Sequence, residues 1–234
     1  MNQIDGKIFI SGGGGIEDSL LLDKKFVNSF KKKKVLYIPI AMERDEVGFE
    51  SCYDWIISAL SRHSEDFIDI VMLLDLADKN LQMSDFDGIY IGGGNTYKLL
   101  QYIYATGFDK ILMSFIKNNG IVYGGSAGAI ILGKNISTVI EENDKNYKYD
   151  QGLSLIGDYS IRCHYNKNID DEKIFKFIKY YKYPVIALPE KTGLVINNKY
   201  SEVIGSENAV IFNINGEREY KKPNDVITSV HLII

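Results

Sequence analysis

The chain has 234 residues, 45% hydrophobic and 25% charged, with a formal net charge of -4. Those values suit a globular domain with a sizeable core and argue against disorder. Basic residues form no stripe, since the lysines at 31–34 sit alone at the end of a helical pattern, so nucleic acid is not an expected partner.

From the start, residues 7–11 read as a strand closed by the glycines at 12–15. A helical pattern follows, with Leu20, Leu21, Phe26, Val27 and Phe30 on one face. Residues 35–40 form a wholly apolar strand, 47–60 a helix, and 67–74 and 88–91 two further strands. Helices are expected at 96–104 and 108–117, then a short buried strand at 121–123. Strands alternating with helices imply βαβ units and a parallel sheet, and continuous apolar runs suit strands covered on both faces. Beyond Gly133 the character changes: 143–150 is polar, a candidate lid, and 169–181 is one helix. From Val185 onward come short strands with turns at Asn197-Asn198 and Asn213-Ile214-Asn215-Gly216, expected as hairpins added to the main sheet. The expected class is α/β, with one domain over residues 1–234. Cys52 and Cys163 are far apart without metal spacing, and neither a signal core nor a bilayer-length apolar run occurs. The expectation is a cytoplasmic protein with no membrane partner.

The chemistry concentrates in Gly124-Gly125-Ser126-Ala127-Gly128. A serine on a tight strand-to-helix turn sits in a strained conformation, and its neighbours two positions away must be small because strand and helix pack closely. The apolar residues Ile130 to Leu132 suit a buried helix whose N-terminal N–H groups face the serine, Ala127 N–H being the natural oxyanion donor. A second donor is expected from Gly94, in the Gly92-Gly93-Gly94-Asn95-Thr96 run that follows a strand at the same carboxyl edge. Asn95 or Thr96 is placed to cap the next helix. A nucleotide cradle is disfavoured: the third glycine is replaced by Tyr97 after one run and Glu17 after the other, and no Gly-Lys-Ser/Thr follows. The loop at 12–15 is then a wall of the site or a plain turn.

A serine needs a base, and only His63, His164 and His231 are available. His63 ends a helical pattern and reads as exposed; His231 lies in an apolar terminal run and reads as a strand side chain. His164 stands at a loop edge, where catalytic groups usually sit. Glu190, directly after the strand at 185–188, is the candidate orienting acid, with Glu141, Glu142 and Asp144 as competitors. An order Ser126, then Asp150 or Asp170, then His231 is ranked below it.

Four motifs together, Gly92-Gly93-Gly94-Asn95-Thr96, Gly124 to Ala129, Cys163-His164-Tyr165 and Ala187-Leu188-Pro189-Glu190, resemble the peptidase E (aspartyl dipeptidase) family of serine peptidases, to which cyanophycinase is related. The resemblance implies a class I glutamine amidotransferase-like (flavodoxin-like) three-layer sandwich, with a mostly parallel central sheet and extra C-terminal hairpin strands. It implies Ser126 as nucleophile, His164 as base, Glu190 as its partner and the N–H groups of Gly94 and Ala127 as the oxyanion hole. No metal or other cofactor is implied, and the partner is a small peptide, a dipeptide with N-terminal aspartate. An aspartyl substrate needs a cation. Of Arg44, Arg62, Arg162 and Arg218, Arg162 is nearest the base in sequence, so Asn95 and Arg162 are the expected substrate-binding residues. A monomer or homodimer is expected. Two departures from the family pattern, Gly125 for tryptophan and Cys163 for proline, bear on specificity more than on chemistry. The alternatives are a cyanophycinase-like or other acyl hydrolase or esterase, and a non-catalytic amidotransferase-like binding protein.

Overall fold

The computed structural model describes residues 6–42, 48–78, 80–139, 141–143 and 145–233. In chain order these hold β1 (Lys7–Ser11), α1 (Leu20–Val27), β2 (Lys34–Ile38), α2 (Phe49–Ser61), β3 (Asp69–Met72), β4 (Gly88–Ile91), α3 (Thr96–Thr106), α4 (Phe108–Lys117), β5 (Ile121–Gly125) and α5 (Ala127–Ile130). There follow β6 (Ser160–Arg162), α6 (Lys167–Tyr181), β7 (Val185–Ala187), β8 (Thr192–Ile196), β9 (Ser201–Gly205), β10 (Ala209–Phe212), β11 (Arg218–Lys221) and β12 (Val226–Ile227).

The main sheet has eight strands in the order β12-β9-β8-β1-β5-β4-β2-β3. The stretch from β1 through β5, β4 and β2 to β3 is parallel, as the βαβ pattern requires. Period-two alternation divides its side chains between two helical layers. Phe9, Tyr37, Tyr90 and Tyr123 face α1 and α2, which contribute Leu22, Phe26, Ile56 and Leu60. Ile8, Ile10, Ile38, Ile89 and Ile91 face the opposite way, onto Leu99, Ile103, Leu112 and Ile116 of α3 and α4. The first layer is built on aromatics: the buried Phe26 ring lies edge-on to Phe9 at 5.4 Å and to Tyr123 at 5.2 Å. Truncating such a side chain costs ~3–5 kcal/mol.

The C-terminal strands divide, where hairpins on one sheet were expected. β8, β9 and β12 do extend the main sheet beyond β1, all antiparallel. β7, β10 and β11 instead join β6 in a separate sheet of order β11-β10-β7-β6. Its strands are also two-faced. Val185, Ala187, Val210 and Phe212 pack with Ile174, Phe177 and Ile178 of α6, while Ile161, Ile186 and Ile211 belong to the main core. A hairpin reading cannot detect this, because β7 pairs in parallel with β6 across α6 and with the later β10, not with the strand that follows it, β8.

Candidate active site

The site assembles at the carboxyl edge of the parallel strands, where β5, β4 and β1 run out together. Ser126 directly follows β5 with φ 49° and ψ -109°, a left-handed conformation outside any helix or strand region. The small residues around it are required sterically: a side-chain carbon on Gly124 would overlap the Gly128 carbonyl, and one on Gly128 would overlap Ile91. Helix α5 has only four residues, so it supplies individual N–H groups such as that of Ala127 and little of a helix dipole. The Ser126 carbonyl accepts from the N–H groups of Ala129 at 2.9 Å and Ile130 at 3.0 Å, which anchors the turn.

Ser126 Oγ lies 2.9 Å from His164 Nε2, and His164 Nδ1 lies 2.9 Å from Glu190 Oε1. The three reach one point by different routes. His164 comes one residue beyond Cys163 after β6, its N–H bonded to the Gly12 carbonyl at 2.8 Å, and it takes a left-handed φ of 52°. Glu190 comes from the β7–β8 turn. The loop after β1 seats both. Gly13 has φ +104°, and a β-carbon there would lie inside the His164 ring; one on Gly14 would lie 3.0 Å from Glu190 Cβ. The loop at 12–15 is thus a wall of the site, and its glycines are the functional positions that residue typing passes over, since their signal is steric.

A cavity of about 650 Å³ opens at Ser126, within the range of small-molecule sites. Gly93, Gly94, Asn95, Gly125 and Glu141 share its lining with Ser126 and His164. Gly94 has φ +134°, where a side chain would strike Ala41. Asn95 caps α3, its Oδ1 accepting from Lys98 N–H at 2.8 Å. Glu141 does not orient His164; its Oε1 accepts from Thr96 N–H at 2.8 Å. Asp144 lies outside the described residues.

Arg162 stands elsewhere than expected. Its side chain is 3% exposed, paired with Asp170 and donating to the Thr138 carbonyl at 2.7 Å. β6 ends at Arg162, and the left-handed His164 breaks the alternation that would put the two on one face. Arg44 is outside the described residues. His63 follows the end of α2, partly buried, with its pKa lowered by burial and by Arg62 and Lys24. His231 lies in no strand and lines a different hollow with Tyr159 and Pro184. Of the 143–150 segment, Tyr149 lies against Tyr104 of α3 at 4.8 Å, and Lys148 N–H donates to Gln101 at 3.3 Å.

Two buried titratable groups border the site, and neither side chain bonds Ser126 Oγ or the His164 ring. Burial pushes the Cys163 thiol up to about 12, which keeps it an unreactive packing group against the Ser11 and Ser126 carbonyls. Asp23 is fully buried; its Oδ2 accepts from Ser19, itself in the cavity lining, at 2.7 Å. Burial pushes this carboxyl up to about 6, against the hydrogen bond from Ser19 that lowers it.

Residues 8–204 match peptidase family S51. An uncharacterized peptidase of Listeria monocytogenes is 32% identical over 176 residues, covering 70% of this chain and 82% of the relative. A Drosophila melanogaster protein named probable alpha-aspartyl dipeptidase is 24% identical over 232 residues, covering 92% and 90%. Among solved structures, a peptidase from an acI-B1 Actinobacterium superposes with a TM-score of 0.78 at 20% identity, over 97% of this chain and 98% of that one. At that identity the likeness is one of fold.

Proposed function

The chain belongs to peptidase family S51, a family of serine peptidases, and on that premise we propose that it hydrolyses small peptides through an acyl-enzyme on Ser126. The observation that carries this reading is the line from Ser126 Oγ to His164 Nε2 to Glu190 Oε1, two contacts of 2.9 Å each. His164 takes the serine proton as Oγ attacks the scissile carbonyl, and Glu190 holds the ring in the tautomer that leaves Nε2 free to accept. The tetrahedral oxygen is held by the N–H groups of Gly94 and Ala127. The carbon–nitrogen bond then breaks as His164 protonates the leaving amine. Water, deprotonated by the same histidine, releases the acid and restores Ser126.

The aspartyl preference in one relative's name would need a cation facing the substrate; Arg162 is committed to Asp170. The alternative order through His231 has no support in the geometry, because His164 already occupies the serine. The test is turnover of a dipeptide panel by wild type and Ser126→Ala. Serine-dependent cleavage supports the mechanism, and equal turnover by the mutant refutes it. A non-catalytic binding role would instead appear as failure of Ser126 to react with a small fluorophosphonate.

A further inference from the structure

The cavity at Ser126 has two unlike sides, and the sheet order assigns them. From β5, which carries Ser126, β1 lies on one side and β4 then β2 on the other. His164 and Glu190 are seated by the loop after β1. The leaving amine must meet His164, so it lies toward β1. The acyl half of the substrate then lies toward β4 and β2.

That acyl side is aromatic. Tyr37, Cys52, Trp55 and Tyr90 line it, from β2, α2 and β4. Tyr90 is the hub, with Tyr37 edge-on at 5.7 Å and Trp55 at 6.0 Å. Gly125 lines the cavity beside these rings. A β-carbon there would lie 3.4 Å from Tyr90 Oη, in ordinary contact, so any larger side chain would grow over the approach to the rings. Among the described residues no lysine or arginine lines the cavity, and Glu141 is the one carboxylate that does. A substrate carboxylate would therefore be desolvated beside a like charge.

We propose that, on the serine-peptidase reading above, this chamber takes the side chain of the residue donating the scissile carbonyl, and that it selects a neutral aromatic or bulky apolar side chain over an aspartyl one. Gly125 is the gate that admits it. Removing a phenyl-sized surface from water gives roughly 10–100-fold in selectivity over alanine.

Diphenyl α-aminoalkylphosphonates bearing the phenylalanine, alanine, aspartate and lysine side chains test this on the whole protein. In each, a Ser126 Oγ–phosphorus bond forms as phenolate leaves and takes up the serine proton by way of His164. Adduct formation is followed by intact mass, with Ser126→Ala as the blank. The expected result is labelling by the phenylalanine probe at least about 10-fold faster than by the aspartate and lysine probes. Gly125→Trp should abolish the advantage of phenylalanine over alanine, read as the ratio of the two labelling rates in the same variant. Equal or faster labelling by the aspartate or lysine probe overturns the proposal. So does an unchanged phenylalanine preference in Gly125→Trp, or reaction with a small fluorophosphonate but none of the four. No reaction with the fluorophosphonate either would sink the serine-peptidase mechanism itself, a separate outcome.

Discussion

Two acid–base pairs flank Cys163, and they are opposites. Arg162 and Asp170 are 3% and 2% exposed; His164 and Glu190, two residues along from the arginine, are 34% and 52% exposed. A buried guanidinium and carboxylate must stay paired, since each charge has given up its water and the loss of one strands the other. A pair at the mouth of a cavity keeps its solvent and can exchange protons and partners. The first pair ties β6 to α6 and to the Thr138 carbonyl; the second faces Ser126. Positions two apart at one strand end thus divide into a buried tie and an exposed pair facing Ser126, and the switch between them is the left-handed φ of 52° at His164.

The contrast can be broken by mutation. The largest effect is expected for Ser126→Ala: a fall of ~10⁶-fold in kcat, measured on any cleaved peptide, with unfolding unchanged. Glu190→Gln should lower kcat by up to ~10⁴-fold, the ceiling set by buried orienting acids. Its unfolding free energy from urea titration should change little, within about 0.5 kcal/mol, as for other exposed positions. Arg162→Met should do the reverse, costing ~3–5 kcal/mol by stranding Asp170, much of it regained in an Arg162→Met, Asp170→Leu double variant. Should Glu190→Gln destabilise the fold as much as Arg162→Met, the division between the two pairs is lost.

Asp23 supplies a third kind of site, a buried acid with no ion pair among the described residues. With its carboxyl pushed up to about 6 from 3.8, the folded state holds this proton more tightly than the unfolded state does. Its contribution to stability is therefore greatest at low pH and declines as pH rises from about 4 to about 6, staying low above. Asp23→Asn removes that penalty. Thermal melts should show it more stable than wild type at pH 7.5 by up to about 3 kcal/mol, with the gain vanishing near pH 4. The smallest effect is Gly13→Ala, about 1–2 kcal/mol of backbone strain at φ +104°. It should still lower kcat, because the new methyl displaces the His164 ring; unchanged kcat would separate the loop from the histidine's seat.

Much of this was legible in the residues. Apolar runs of four to six residues alternating with helical periods determine a parallel sheet, because only strands covered on both faces tolerate unbroken hydrophobicity. The glycines around Ser126 mark a close strand-to-helix crossing by steric necessity. Residue scarcity narrowed the base to three histidines.

Other features depended on contacts between segments distant in sequence. The C-terminal strands alternate in the same way whichever sheet they join, so pairing β7 with β6 and β10 was a tertiary choice. Local spacing put Arg162 beside the base, and one left-handed residue turned it into the core. Glu190 and Glu141 are equally acidic as letters; only the chain path laid the first on His164 and the second on the N–H of Thr96. The sequence by itself determined which elements form and which residue types can react, because periodicity and steric size act locally. Which acid meets which base was decided by the tertiary structure, because a hydrogen bond depends on where two distant backbones bring their side chains together.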